Sequence, residues 1–272
     1  MSTPSPQQSG TVVITGAAGG MGRPAAERFA AQGRPLLLCD LNAERLEALA
    51  DELRASAGSV DILSADIAAP EFPGRVLDAL GDAKLSALIH TAGLSPTMSD
   101  GRRIFEVNYH ATVRLVDALR PRFDAGGCAV LISSVSAYML ADMALLNAVR
   151  TFVMTGEDAG IAGHMESPGM SYALSKRAVI TFVERQAAAF GALGLRIASI
   201  APGFIDTPMG VAEAEENAQL RSLIGMVPQQ RMGHGDEIAS VAEFLCSPAA
   251  SYISGADIRV DGGIIGLLST KG

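Results

Sequence analysis

Apolar residues occur along the chain in two kinds of block. Short runs that are apolar at nearly every position, such as Thr11–Thr15 and Pro35–Asp40, alternate with longer stretches in which apolar residues recur at helical spacing. Strands that are apolar on both faces and are separated by helices are typical of a parallel sheet with helices on both sides. The pattern therefore predicts an α/β fold in which a seven-stranded parallel sheet is doubly wound.

The same pattern predicts where the elements begin and end. The predicted strands are Thr11–Thr15, Pro35–Asp40, Val60–Leu63, Leu85–His90, Cys128–Ser133, Leu195–Ile200 and Ala256–Val260. The predicted helices include Met21–Ala31, Ala43–Ala55 with Asn42 as its N-cap, and a long helix over Arg103–Phe123.

Domain organisation is simple in this interpretation. Residues 1–10 are polar and are expected to form a flexible tail, and residues 11–272 are expected to form one domain. Residues 137–170 are too long for an ordinary connection, and the spacing of their apolar residues predicts a helix near Asp142–Thr155. A second irregular stretch, residues 204–232, is rich in methionine and is expected to border the substrate.

Composition narrows the class of function. The 272 residues include 21 Lys and Arg against 29 Asp and Glu, a net charge of −8, and this balance argues against a nucleic-acid partner. No basic amphipathic helix, apolar signal segment or bilayer-length apolar run is present, so we expect a cytoplasmic protein without a membrane partner. The histidines and the three cysteines lack metal-ligand spacing, and no metal is expected.

A glycine-rich turn follows the first predicted strand and opens the first helix. Glycines in Thr15–Gly22 would let the backbone approach a pyrophosphate at the helix N-terminus. Asp40 ends the next strand, where a carboxylate can accept hydrogen bonds from the adenosine ribose and repel a 2′-phosphate. No Arg or Lys occurs in the turn or at Leu41 and Asn42, and this favours NAD over NADP.

Tyr172 and Lys176 are four residues apart in a strongly helical stretch, so they share one helix face. A tyrosine with its ordinary pKa of about 10 is a poor base at neutral pH. A neighbouring ammonium, together with oxidised nicotinamide, would favour the phenolate and lower that pKa. The pair is a candidate acid/base centre.

Thr15, Gly16, Gly20 and Gly22 follow the spacing T-G-x-x-x-G-x-G, and Tyr172 and Lys176 follow Y-x-x-x-K. In both motifs the chain resembles the short-chain dehydrogenase/reductase family, which has a Rossmann-type fold, and the resemblance extends over nearly all of its length. Thr91 stands where that family usually has asparagine, which puts a sheet-stabilising contact in doubt. Asp261-Gly-Gly263 resembles the family's C-terminal signature.

The resemblance implies the site residues. The implied catalytic residues are Asn108, Ser134, Tyr172 and Lys176. The implied cofactor-binding residues are Gly16, Gly20, Met21, Gly22, Asp40, Leu41, Asp66, Ile67, Ala92, Gly93, Tyr172, Lys176, Pro202, Gly203, Ile205 and Thr207. In this scheme Ser134 holds the substrate oxygen, and Asn108 lies at a helix bend whose water links Lys176 to solvent.

The connection between Ser134 and Tyr172 is longer than in most members of the family. Bacterial 3α-hydroxysteroid dehydrogenase/carbonyl reductases carry a comparable insertion and similar strings around Ile132–Val135 and Ser247–Tyr252. The insertion could line the substrate pocket, or it could only cover a neighbouring helix or subunit.

The resemblance implies an NAD(H)-dependent oxidoreductase. Its substrate would be a hydrophobic secondary alcohol and the corresponding ketone, with a hydroxysteroid or another ring alcohol as a candidate. The alternatives are a 3-oxoacyl thioester reductase and a non-catalytic NAD(H)-sensing protein. The apolar C-terminal segment Ile264–Leu268 and the usual assembly of the family point to a homo-oligomer, with a tetramer expected before a dimer.

Overall fold

The computed structural model describes residues 10–270, so the predicted flexible tail lies mostly outside the described residues. Seven strands form one parallel sheet in the order β3-β2-β1-β4-β5-β6-β7, which confirms the predicted doubly wound fold. The strands are β1 (Thr11–Thr15), β2 (Pro35–Asp40), β3 (Ser59–Ser64), β4 (Leu85–His90), β5 (Phe123–Ile132), β6 (Arg196–Pro202) and β7 (Ala256–Val260). Strand order reverses between β1 and β4, where folds of this type bind ligands at the carboxyl ends of the strands.

Helices cover both faces of the sheet. They are α1 (Gly22–Ala31), α2 (Ala43–Leu53), α3 (Phe72–Leu80), α4 (Gly101–Phe105), α5 (Ala111–Leu119), α6 (Met143–Thr155), α7 (Pro168–Gly191), α8 (Pro208–Glu216), α9 (Ala218–Ile224), α10 (Gly235–Cys246) and α11 (Ile264–Thr270). Alternate strand residues point to opposite faces: Val12 and Ile14 pack in one core with α1, α2 and α10, whereas Val13 packs in the other with α3 to α7.

The long helix predicted over Arg103–Phe123 is interrupted. Between α4 and α5, Glu106–His110 form a π-helical turn, and the helix ends at Leu119 because Pro121 cannot continue it. Phe123 instead begins β5, so that strand starts earlier than predicted. The π turn also moves Asn108 off the regular helical register.

The predicted helix of the insertion is present as α6, which begins after its N-cap Asp142. Its inner residues Leu145, Val149 and Phe152 are buried in the core that contains α7. The Phe152 ring lies 5.4 Å from the ring of Tyr109 in the π turn. α6 therefore packs on neighbouring helices of its own chain.

The C-terminal apolar segment forms α11, in which Ile264 and Ile265 are buried against Val135 and Val227. The chain itself therefore covers these two residues, so their burial does not require a partner subunit. The stretch 204–232 contains α8 and α9 rather than an extended loop. Among residues 10–270, no helix combines the length and apolarity required to cross a membrane.

Candidate active site

The glycine-rich turn is a cradle with no room for side chains. Gly16 has a φ of +65°, a conformation that favours glycine, and a Cβ on Gly22 would lie only 2.1 Å from the Gly16 carbonyl oxygen. Met21 is the N-cap of α1, and no side chain of the described part of the chain caps that helix end. Arg23 and Ala25 donate their N–H groups to backbone carbonyls, so the Gly22 N–H remains at this helix start to meet a phosphate.

Gly20 lies where three segments meet. A Cβ there would lie 2.5 Å from Thr207 Cγ2, and a Cβ on Gly235 would lie 1.9 Å from the Gly20 carbonyl oxygen. Thr207 is the N-cap of α8 and accepts a hydrogen bond from the Gly210 N–H at 3.1 Å. The turn, the start of α8 and the start of α10 thus fix one another's positions.

Asp40 reaches from the end of β2 back to this turn. One carboxylate oxygen accepts a hydrogen bond from the Ala18 N–H at 3.0 Å, and the other accepts one from the Asn42 N–H at 3.0 Å. Leu41 beside it is 73% exposed, as an adenine-side residue at the rim would be.

Arg45 is a feature of this region that sequence reasoning missed. Its guanidinium donates a hydrogen bond to the Ala18 carbonyl at 3.1 Å, so a cation borders the same loop as Asp40. Arg45 lies outside the turn and beyond the two residues that follow Asp40. The first turn of α2 brings Arg45 back to the loop across that gap.

Asp66 and Ile67 follow β3, at the same edge of the sheet. Ile67 is buried, and Asp66 accepts a hydrogen bond from the Ala68 N–H at 2.9 Å. The second Asp66 oxygen pairs with Arg103 at 2.5 Å. The position suits an adenine contact, and Arg103 is the partner that holds the carboxylate there.

The departure at Thr91 leaves the sheet well connected. The Thr91 hydroxyl donates to the Thr15 carbonyl at 2.8 Å. His90 lies between the hydroxyls of Thr15 and Thr112, at 2.7 and 2.8 Å, and burial, with the nearby charge of Lys176, lowers the pKa of His90 to about 3. A neutral imidazole thus joins β1, β4 and α5.

The remaining cofactor candidates also lie at the carboxyl ends of strands. After β4 are Ala92 and Gly93, and at the end of β6 and before α8 are Pro202, Gly203, Ile205 and Thr207. A Cβ on Gly93 would lie 3.0 Å from Asn108 Oδ1 and 3.5 Å from Lys176 Nζ, so glycine keeps the way to the catalytic candidates open.

Tyr172 and Lys176 project from the first turns of α7, with Lys176 Nζ 5.7 Å from the centre of the Tyr172 ring. The ammonium donates a hydrogen bond to the Ile132 carbonyl at 2.9 Å. Burial lowers the pKa of Lys176 to about 8. Burial also raises the pKa of Tyr172 to about 12, which is opposite to the direction predicted from a neighbouring ammonium.

Ser134 lies at the end of β5 and is the N-cap of a short 3₁₀ turn, Val135–Tyr138. Its hydroxyl oxygen accepts a hydrogen bond from the Ser136 N–H at 3.2 Å. The neighbouring Ser134 hydroxyl lowers the pKa of Tyr172 and partly offsets the effect of burial. The structure therefore brings Ser134, Tyr172 and Lys176 together.

Asn108 is buried in the π turn and ties it to the loop after β4. Its amide accepts a hydrogen bond from the Leu94 N–H at 2.8 Å and donates one to the Leu94 carbonyl at 3.0 Å. The amide also donates to Ser175 Oγ at 3.3 Å, one residue from Lys176. The predicted bend is present, and the Asn108 side chain serves to hold the loop.

Glu213 is a second residue that the sequence did not single out for the site. It lies on α8 near the buried Ser95, and its negative charge further raises the pKa of Tyr172. Burial raises the pKa of Glu213 itself. Glu215 and Glu216 on the same helix are exposed, and the sequence alone does not distinguish Glu213 from them. The packing of α8 across the cleft is what identifies Glu213.

Comparisons with known proteins agree with this geometry. Residues 10–145 match the family model described as short chain dehydrogenase, and residues 145–265 match one described as enoyl-(acyl carrier protein) reductase. The chain is 34% identical to a 3-alpha-hydroxysteroid dehydrogenase/carbonyl reductase of Comamonas testosteroni, over 93% of this chain and 95% of that protein. It is 31% identical to a galactitol 2-dehydrogenase of Cereibacter sphaeroides, over 92% of each.

A solved structure of similar shape is the 3-alpha-hydroxysteroid dehydrogenase from Pseudomonas sp. B-0831 complexed with NADH. It has a TM-score of 0.77 and 27% sequence identity, and the match covers 96% of this chain and 99% of the other. With the matching sheet, glycine turn and Tyr-Lys pair, these similarities lead to one conclusion: this chain belongs to the short-chain dehydrogenase family.

Proposed function

We propose that the protein is an NAD(H)-dependent oxidoreductase that interconverts a hydrophobic secondary alcohol and its ketone, with Tyr172 as the acid/base. The observation that carries the proposal is the meeting of Ser134, Tyr172 and Lys176 at the edge of the sheet that also holds the glycine cradle. An intact set of this kind favours turnover over the sensing of NAD(H) alone.

In oxidation, Tyr172 takes the proton of the substrate hydroxyl, and Ser134 donates a hydrogen bond to the same oxygen as negative charge develops on it. Lys176, anchored on the Ile132 carbonyl, holds a positive charge beneath the site and would bind the nicotinamide ribose. NAD bound in the cradle would supply the hydride acceptor and a positive charge that favours the phenolate. Residues 202–207 would hold its carboxamide.

Asp40 supports NAD as the cofactor, because its carboxylate would face a 2′-phosphate at close range. A 3-oxoacyl thioester reductase would ordinarily use NADPH, so Asp40 also speaks against that alternative.

Exposed apolar side chains on the segments that border Tyr172 support a hydrophobic substrate. Met98 follows the Ser95 loop, Met139 follows the Ser134 turn, and Met209 and Val211 lie on α8 with Glu213, and their exposed fractions are between 37% and 52%. Flexible methionines suit an adaptable apolar lining. A ring alcohol, including a hydroxysteroid, fits this description.

The decisive experiment measures NADH formation from NAD over a panel of secondary alcohols that includes hydroxysteroids, small alcohols and polyols. We expect turnover of bulky, uncharged alcohols with NAD. Binding of NADH, seen by fluorescence, without turnover of any alcohol or ketone in the panel would instead establish a sensing protein.

The proposed assembly is a homo-oligomer, and α6 bears on its size. Members of the family often associate through the helix that carries Tyr172. Because α6 packs on this helix and on the π turn, it would block one such interface and favour a dimer over the expected tetramer. Sedimentation at micromolar concentration should show a dimer, and a monomer alone would refute assembly.

A further inference from the structure

A single carboxylate on the edge strand β7 receives three side-chain hydrogen bonds. Asp257 Oδ1 accepts from the Ser133 hydroxyl at 2.6 Å and from the Ser199 hydroxyl at 2.5 Å. Asp257 Oδ2 accepts from the Tyr138 hydroxyl at 2.7 Å. Hydrogen bonds to an ionised acceptor are the strong ones, so this cluster is held firmly.

Two of the three donors bracket the serine of the active site. Ser133 immediately precedes Ser134, and Tyr138 ends the 3₁₀ turn that Ser134 caps. Ser133 is further fixed through its backbone N–H, which donates a hydrogen bond to the Ile200 carbonyl at 2.8 Å. Asp257 therefore holds both ends of the segment that carries the Ser134 hydroxyl.

The third donor fixes the carboxylate itself. Ser199 lies directly opposite Asp257 in the register of β6 and β7, so the sheet sets the distance between them. The cations next to the cluster are Arg259, whose guanidinium lies 5.4 Å from the Tyr138 ring centre, and Arg177 of α7.

We propose that Asp257 is a positioning residue that orients Ser134 by clamping Ser133 and Tyr138 to the edge strand. The inference rests on the proposed function, since Ser134 must act in the reaction for its orientation to matter. Asp257 lies about half-buried behind the turn and would act through Ser134 without touching the substrate.

The test replaces the clamp while keeping its shape. Asp257→Asn retains one oxygen acceptor and turns the other into an amide donor. We expect kcat to fall by about 10- to 100-fold, the order of loss when a reacting group is misplaced, with the KM for NAD and NADH fluorescence binding unchanged. Tyr138→Phe removes one of the two anchors and should give a smaller loss of kcat.

Asp61→Asn is the matched control. Asp61 lies on β3, the opposite edge strand, is exposed, and makes no side-chain hydrogen bond within residues 10–270. It should leave kcat unaltered.

A double-mutant cycle separates positioning from general damage. In a Ser134→Ala background, Asp257→Asn should cost at most about 2-fold in residual kcat, because the group it positions is gone. Equal losses in both backgrounds, or a wild-type kcat in Asp257→Asn, would overturn the clamp. If Ser134→Ala and Tyr172→Phe both keep wild-type turnover, the proposed function itself fails, and that result is distinct from a failure of the clamp.

Discussion

Lys176 Nζ lies 5.7 Å from the centre of the Tyr172 ring and gives its hydrogen bond to the Ile132 carbonyl. The lysine is thus held by the strand end and not by the phenol. Burial is the largest effect on Tyr172 and raises its pKa. The hydroxyl therefore keeps its proton until bound substrate and dinucleotide lower that pKa.

The first prediction tests Tyr172 as the acid/base. Tyr172→Phe keeps the ring but removes the proton donor, so turnover should fall at least ~100-fold while NADH binding survives. Steady-state rates and fluorescence titration check the two halves. A near-normal rate would show that another group moves the proton.

The second prediction concerns pH. The oxidation rate should rise with pH as Tyr172 loses its proton. Glu213→Gln removes a negative charge that raises the pKa of Tyr172. The pH range over which the oxidation rate rises should therefore move lower. Ser134→Ala removes the hydroxyl that lowers the same pKa, so the pH range over which its residual activity rises should move higher.

Profiles of kcat against pH for the two variants decide this, with Glu215→Gln as the control. Glu215 lies on the same helix but is exposed, and its replacement should leave the pH dependence of kcat unchanged. Shifts of the same sign in Glu213→Gln and Ser134→Ala would contradict the assignment of causes.

The third prediction concerns cofactor choice. Asp40→Ala removes the carboxylate but leaves Arg45 on the same loop, so the preference for NAD over NADP should narrow. Adding Arg45→Ala should raise the KM for NADP again. The ratio of kcat/KM for the two cofactors measures this preference. A wild-type enzyme that prefers NADP would show that Asp40 does not exclude the 2′-phosphate.

The fourth prediction concerns the insertion. Phe152 on α6 is buried among aromatic rings, so Phe152→Ala should lower the free energy of unfolding by about 3–5 kcal/mol. The KM ratio between large and small alcohols should stay constant. Met154→Ala, at a position 53% exposed on the same helix, is the control for denaturant unfolding.

If Phe152→Ala changed the KM ratio between large and small alcohols without changing the free energy of unfolding, we would conclude that the insertion lines the substrate pocket.

Sequence reasoning reached the sheet and most of the site because both depend on local signals. A few adjacent residues define each of these signals: the glycine spacing, the strand that ends at Asp40 and the Tyr172–Lys176 spacing. The helix break at Glu106–His110 was implied only by resemblance, since π turns carry no composition signal of their own.

The residues that the sequence did not predict lie on elements outside the motifs and approach the site through the packing of the fold. Arg45, Glu213 and Asp257 reach the site from a helix turn, a covering helix and the far edge strand. Their roles depend on strand register and helix packing, which no spacing within one segment encodes. The same limit explains the C-terminal segment, whose apolar residues are covered by the Ser134 turn and by Val227 of the chain itself.

The contact between Thr207 and Gly20 has a kinetic consequence. The first turn of α8 rests on the loop expected to bind the pyrophosphate, with only 2.5 Å between Thr207 Cγ2 and a Cβ built on Gly20. A dinucleotide bound in this loop would lie against the start of the helix that carries Glu213 over the cleft. The reaction is therefore expected to follow a compulsory order, in which the dinucleotide is the leading reactant and the last product to leave.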